Sequence, residues 1–562
     1  MPVSGEVLLL AALALYVALI AVLPLGRLLI EALRPGAEGA VLGILTETWG
    51  GRSVGRALGN TLVASLFATM LSVVLGTALA LLLRMTDLPG RGLLISLALL
   101  PMLIPPQISA LAWIELSGPS SPILGPLGLA PPPGQTNPLY SMAGIVWVMG
   151  LEHAPLVLLT VAAGLSTMPR DLAEAGRIAG ARPLRVVLSI VMPAIAPAIL
   201  AGGTLAFASA IGNFGVPALL GIPGRVTLLT TLIYQRLNGF GPSILGEVSA
   251  IALLLMGLAV AGLILRGWLM RRGGAQLDRT AASVEPFALG SWRLPAAHLV
   301  WLLLLIVSVL PLLALMASAL VPAVGMRLGW ETVSFTNFER LLTGSPAVGR
   351  AFLNSFALAG TAALVSVLIS LPLSYLAVTR RWRVARLLDA LIEAPYAVPG
   401  TVLALGVIIV FLPPLPALGI SLYGSFAILL VAYLARFLLL AHRPVSAAMA
   451  ALDPALDEAA RIVGARPMAR LVQVAAPAVF TSALAGGLLI FMTAFNELTV
   501  SALLWSTGQE TLGVLVFQLQ YEGNSPAAAA LATLIVAITL ALAGLIAFIG
   551  KRLAPGTVPW QM

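Results

Sequence analysis

Glu174-Ala175-Gly176-Arg177-Ile178-Ala179-Gly180-Ala181-Arg182-Pro183 returns as Glu458-Ala459-Ala460-Arg461-Ile462-Val463-Gly464-Ala465-Arg466-Pro467, so that Glu174 and Glu458 stand 284 positions apart. Pro193 and Pro477 follow the two stretches at the same offset. Both stretches are polar inserts in an apolar chain, and each reads as a short helix with defined ends. Asp453 suits the N-cap and Pro454 the first helical position. Asp457 and Glu458 place carboxylates in the first turn, and Gly464 sits where a left-handed helix end is wanted. In the first copy Pro169 opens the helix, Asp171 and Glu174 supply the acidic turn, and Gly180 closes it. Arg177, Arg182, Arg461 and Arg466 are left on a surface outside lipid. One such segment alone is as readily a capped connector at a membrane surface; two in register point to a shared task.

Composition sets the class. Of the 562 residues 60% are hydrophobic and 9% charged, against roughly 25% charged in soluble domains. Crossing the bilayer takes about 20 apolar residues in a helix. Such runs fall near 7–30, 59–84, 92–116, 140–166, 194–221 and 244–270, and again near 295–322, 349–379, 388–413, 422–445, 478–505 and 527–550. The sequence predicts an all-α polytopic membrane protein of about twelve transmembrane helices in two homologous six-helix halves, embedded in lipid. No Lys or Arg precedes the first run, which is longer than an ordinary signal-peptide core, so it reads as a retained helix. Cysteine is absent, which excludes disulfides and thiolate metal sites.

The repeat reaches beyond the polar inserts. Asn60-Thr61 matches Asn354-Ser355, and Pro101 and Pro105 match Pro395 and Pro399, all at an offset of 294 (354 less 60). The ten-residue change of register falls between Glu115 and Tyr140, where Gly118-Pro119-Ser120-Ser121-Pro122 and Pro131-Pro132-Pro133-Gly134 predict an outer loop. The expected organisation is a first half over 1–270 with its polar helix near 169–183, a cytoplasmic linker over 271–294, and a second half over 295–562 with its polar helix near 453–467.

Basic residues set the expected orientation. Nine arginines, at 27, 34, 52, 56, 225, 236, 327, 340 and 350, fall on one side; the other 22 of the 31 Lys and Arg fall on the side of the N-terminus and of both polar helices. The positive-inside rule makes that side cytoplasmic. The net charge of +9 is thus spread over short loops, which gives topology and leaves no basic surface for nucleic acid.

The pattern Glu-Ala-Ala, a Gly six residues after the Glu and a Pro further on resembles the cytoplasmic coupling motif of permease subunits of binding-protein-dependent ABC importers. Two copies resemble a fused pair of permease halves. The resemblance implies that Glu174, Ala175 and Gly180, and likewise Glu458, Ala459 and Gly464, couple the membrane helices to two copies of a cytoplasmic ATPase. It also implies substrate delivery by an extracytoplasmic binding protein, and a place in the cytoplasmic (inner) membrane of a prokaryote with the N-terminus cytoplasmic. Gly176 departs from the third residue of the motif, and Ile190-Val191-Met192-Pro193 and Val474-Ala475-Ala476-Pro477 depart from its usual ending while keeping it apolar.

No catalytic residues and no cofactor are expected. A phosphate-binding loop needs Gly-x-x-x-x-Gly-Lys followed by Ser or Thr, and the one lysine, Lys551, precedes Arg552. ATP hydrolysis is therefore expected on a separate subunit. His153, His298 and His442 stand apart from one another, which gives no metal site. Polar groups at membrane depth cost roughly 2.5–3.5 kcal/mol when charged and mark pathways or buried pairs. Glu152, beside His153, maps at 284 onto Arg436, a possible intramembrane pair across the halves. Asn213 maps onto Glu497, which follows Asn496; the resemblance implies that these three are translocation-path residues, since the helix that follows a coupling segment lines the path in that family. Asn60 and Asn354 are expected to satisfy backbone groups at helix ends.

The stretches 213–221 and 497–504 resemble fused ferric-iron permeases, with thiamine, phosphonate and polyamine permeases as near relatives. The resemblance implies ferric iron as substrate. A proton-coupled secondary transporter is the rival from another class; it would use Glu152 and His153 but leave the two polar helices without a purpose.

Overall fold

The computed structural model describes residues 5–36, 39–272, 287–326, 328–415 and 419–553. Among them nine helices are long and apolar enough to cross a membrane, and three bent helix pairs complete twelve if each counts as one span. The first half holds Gly5–Ala32, Arg52–Met85, the pair Arg91–Leu103 and Pro106–Ser117, Met142–Ser166, Pro183–Gly212 and Leu245–Leu269. The second half holds Gly290–Ala319, Pro346–Thr379, the pair Arg383–Ala397 and Gly400–Phe411, Phe426–Ala451, the pair Pro467–Ala478 and Phe480–Phe495, and Ser525–Phe548. These are the first to twelfth spans below. Residues 273–286, most of the expected linker, lie outside the described residues; at its far end the Phe287 N–H donates to the Met85 carbonyl at 2.7 Å.

Three spans depart from the expectation of continuous helices. The third and ninth fold back by 105° and 109°, at the prolines that carry the 294 offset. Ile104 (ψ 132°) and Pro105 (ψ 141°) are extended in one half, Val398 (ψ 140°) and Pro399 (ψ 139°) in the other. A residue before proline is pushed out of the helical region, and proline donates no N–H to continue a helix. The eleventh span bends by 74° at Val479. The fifth and eleventh spans also stop short of the expected 221 and 505, at Gly212 and Phe495, because the next side chains start a new turn. Asn213 Oδ1 accepts from Val216 N–H (3.1 Å), and Glu497 accepts from Val500 and Ser501 N–H (2.6 and 3.0 Å).

The Asn60 and Asn354 pair does satisfy backbone ends. Asn60 Nδ2 donates to the Thr227 carbonyl (2.9 Å) and Thr61 Oγ1 accepts from Leu229 N–H (2.9 Å). Asn354 Nδ2 donates to the Glu510 carbonyl (3.0 Å) and Ser355 Oγ accepts from Leu512 N–H (2.9 Å). Each half thereby fixes the start of its penultimate short helix, Leu229–Phe240 and Leu512–Tyr521, to its second long span.

The halves exchange their first helices. The first span packs on the ninth as well as on the sixth, and the seventh packs on the third as well as on the twelfth. Gly406 makes one of these crossings possible: a Cβ there would lie 2.7 Å from the Pro24 carbonyl oxygen. Ion pairs of reversed polarity close both crossings, Glu6 with Arg380 (3.0 Å) and Asp87 with Arg293 (3.4 Å). Within the third span Glu115 accepts from the Ser318 hydroxyl of the seventh (2.6 Å). One large apolar core runs through both halves. A second, smaller core fills the end of the first half nearest its polar helix, built from Leu79, Ala80, Leu83, Leu94, Val157, Leu158 and Val186 with the start of the seventh span.

Candidate functional site

The two polar segments form the same object. In the first, Pro169 is the N-cap of the helix Arg170–Ile178; the side chain of Asp171 lies outside what is described. In the second, Asp453 Oδ1 accepts from Ala455 N–H (2.9 Å) and Pro454 begins the helix Pro454–Ile462. Both end in the same left-handed turn. Gly180 has φ 78° and Gly464 φ 81°. The N–H of each glycine returns to an arginine carbonyl (Arg177 or Arg461, 3.0 Å each), and the next N–H reaches back to Gly176 (3.1 Å) or Ala460 (3.0 Å). This paired closure uses the carbonyls a helix end would otherwise leave bare. A four-residue helix and a π-helical turn then follow in each half, Val187–Val191 and Leu471–Ala475, still at the offset of 284.

Glu174, Ala175, Glu458 and Ala459 are exposed, as are both closing glycines. The departure at Gly176 has a packing cause. A Cβ on Gly176 would meet Ile190 Cδ1 at 2.5 Å; at the matching places the second half has Ala460 and the smaller Val474. Volume moves from one side of the contact to the other, as close packing demands. Residue reasoning missed Ile178 and Ile462, equivalent positions that are 87% and 84% exposed. An apolar residue in the last turn of an otherwise polar helix was the available signal. A pair of exposed isoleucines on two copies of one motif is the kind of anchor a protein interface buries.

A cavity of about 720 Å³ opens between the halves on the side of these helices. It is bounded by the bend of the third span and by the tenth, eleventh and twelfth spans, reaching from Ala448 and Thr481 to Gln107, Arg436, Asn496 and Glu497. Its inner end is stitched across the halves where Gln107 Nε2 donates to the Asn496 carbonyl (3.0 Å), and Asn496 Nδ2 in turn donates to Thr539 of the twelfth span (2.9 Å). The Glu497 carboxylate is held by two backbone N–H groups and by the Ser501 hydroxyl (2.9 Å). Glu497 and Asn496 thus line the cavity. Asn213 does not; it is buried, with Nδ2 donating to Glu152 (3.1 Å) and its carbonyl accepting from Thr230 (3.1 Å).

The expected pair of Glu152 with Arg436 is not formed. Glu152 turns to Asn213 in its own half. Arg436 Nη1 donates to the carbonyls of Val398 (2.5 Å), Tyr396 (3.1 Å) and Pro395 (3.3 Å), with the guanidinium 5.5 Å from the centre of the Tyr396 ring. The break in the ninth span frees those carbonyls at membrane depth, and Arg436 donates to three acceptors that a pairing with Glu152 would leave bare. Glu152 is thus paired with Asn213 inside its own half, while Arg436 and Glu497 line the same cavity wall, each held by groups of the second half. Among the described residues no group of three or more His, Cys, Asp or Glu is arranged to hold a metal ion.

The model of the binding-protein-dependent transport system inner membrane component matches this chain over residues 39–273 and again over 370–557. The chain is 28% identical to the probable ABC transporter permease protein y4fN of Sinorhizobium fredii, over 84% of this chain and 83% of that protein. It is 25% identical to the Fe(3+)-transport system permease protein FbpB 2 of Haemophilus influenzae, over 81% of each. A stretch of 98 residues is 35% identical to the putative 2-aminoethylphosphonate transport system permease protein PhnU of Salmonella typhimurium, which makes up 17% of this chain and 34% of that protein. With two matches that between them cover most of its length, on the two halves that the fold repeats, the chain belongs to the family of binding-protein-dependent transport system inner membrane components, a multi-pass membrane permease carrying the family domain twice.

Proposed function

We propose that the two halves form the membrane pathway of an ATP-driven importer, each docking one copy of a cytoplasmic ATPase on its polar helix, near 169–183 and 453–467. The observation that carries this reading is the pair of exposed, doubly closed helices presenting Ile178 and Ile462. Arginine distribution supports a cytoplasmic N-terminus with both polar helices on that side. ATP hydrolysis belongs to the partner, and a binding protein delivers substrate on the opposite face. Of the residues expected on the path, Glu497 and Asn496 serve there and Asn213 positions the turn that closes it.

Ferric iron is the substrate we infer, supported by the name of a relative matched over four-fifths of both chains. The cavity then acts as a passage that does not chelate: iron crosses past Gln107, Asn496, Arg436 and Glu497 without a ligand set. A second reading, a zwitterionic aminophosphonate, draws on the opposite charges of Arg436 and Glu497 at one cavity wall.

Substitution of Gly464 or Gly180 tests the docking. Space around both is open, so Gly464→Val acts by straining the left-handed turn. The expected outcome is weakened co-purification of the ATPase and reduced substrate-stimulated ATP hydrolysis, with the permease still in the membrane. Unchanged association in both variants overturns the docking assignment. Deleting the gene should abolish ferric-iron uptake; retained iron uptake with lost aminophosphonate uptake transfers the assignment to the second reading.

A further inference from the structure

The coupling ends of the two halves differ in kind. In the second half the Tyr375 hydroxyl, at the end of the eighth span, donates to Asp457 Oδ1 (2.9 Å) on the polar helix. Arg470 Nη1 donates to Asp457 Oδ2 (2.5 Å) from the segment that starts the eleventh span. Arg470 is 3% exposed, and a buried arginine is retained only with partners of good geometry. Next to Tyr375, Ser374 lies 3.5 Å from His442 Nδ1, and His442 Nε2 meets Asp389 Oδ1 at 2.5 Å. Six residues thus join the polar helix, the eighth, ninth and tenth spans and the start of the eleventh in one polar belt.

The corresponding residues of the first half are Leu81, Ala173, Val186, Ala80, Leu158 and Ile95. All six are apolar, so no such belt can form, and Ala80, Leu158 and Val186 belong to the separate apolar core at that end. There the polar helix leans on its own chain through Gly176 against Ile190 and through Arg177, 5.5 Å from the centre of the Phe287 ring.

We propose that Tyr375, Asp457 and Arg470 are positioning residues that lock the second polar helix to the eighth span, so that ATPase closure moves the two as one body in the second half and not in the first. This rests on the reading of 453–467 as an ATPase-docking helix. A hydrogen-bonded ion pair fixes direction as well as distance, which sliding apolar contacts do not. The first half supplies the natural alternative: Leu, Ala and Val at these three places are compatible with the same backbone, and exchanging a buried ion pair for packed apolar residues is often neutral for stability.

The absence of cysteine from the chain allows a clean measurement. Spin labels at Val384→Cys and Leu456→Cys, both exposed, report the distance between the region after the eighth span and the polar helix. They are read in the full complex with its ATPase, with and without ATP. The distance is expected to stay fixed in the labelled parent and in Asp457→Glu, and to shift by about 1–5 Å on ATP binding in Tyr375→Leu/Asp457→Ala/Arg470→Val, the range of helix movements in such switches. An unshifted distance in that triple variant overturns the proposal. Should the triple variant not assemble, Asp457→Asn, which keeps the shape and loses the charge, is judged by the same shift. Failure of the unlabelled parent to bind the ATPase, by contrast, refutes the docking reading and not the lock.

Discussion

Glu152 and Arg436, at membrane depth, each find their partners within their own half, and Arg436 shows why. Its charge sits among three carbonyls that the broken ninth span cannot use itself. Replacing it with Ala leaves those acceptors without a charged donor, at a cost of about 1.5–3 kcal/mol, and should lower both the yield and the Tm of detergent-purified protein. Adding Glu152→Ala should give no recovery, because Glu152 is held by Asn213; recovery in the double variant would show a coupling between the halves that the geometry lacks. The sequence made Glu152 and Arg436 legible as important and misassigned their partners. Offsets of 284 and 294 reveal which positions are equivalent, but a hydrogen-bond partner depends on where a backbone opens. Asn60 was read correctly for the complementary reason: an amide at the start of a long apolar helix has few targets other than free backbone ends.

Helices carry the repeat more faithfully than any side chain does. Span positions were legible because an apolar run has to match the bilayer, and the capped polar helices because Asp453, Pro454 and Gly464 each have a preferred place at a helix end. The folding back of the third and ninth spans was not, although Pro105 and Pro399 were already aligned. Proline in a membrane helix can be accommodated by a kink or can force a break, and only the extended backbone on both sides of the turn distinguishes them. The straight stretch that follows the second break crosses the first span closely at Gly406. Gly406→Val should therefore drive a side chain into the Pro24 carbonyl, with overpacking that costs about 1–3 kcal/mol or more. Gly360→Val, in open space on the eighth span, is the control. Size-exclusion profiles and thermal melts in detergent should show the first variant destabilised and the second close to the parent; equal behaviour would mean that the seam yields at no cost.

At the scale of the molecule, duplication provides two similar halves and the exchanged first helices make them one structure. The first span seats on the ninth and the seventh on the third, so a half on its own exposes an empty seat and a helix without its far partner. In lipid there is no water to drive such surfaces together, and association relies on close packing and polar contacts between helices. Both are present at each crossing: Gly406 against Pro24, Ser318 with Glu115, and the reversed pairs of Glu6 with Arg380 and Asp87 with Arg293. A covalent connection between the halves then adds effective concentration to these contacts. Cutting the chain between residues 280 and 281 and producing the two parts together should consequently give a complex that co-purifies and binds the ATPase. Either part made alone should be recovered poorly. Combining the cut with Arg380→Glu should weaken co-purification, and adding Glu6→Arg should restore it, because the exchange reinstates the pair with its polarity reversed, the arrangement the molecule already uses at Asp87 and Arg293. Efficient recovery of a single part, or no response to the charge exchange, would show that the covalent connection and not the helix exchange holds the halves together.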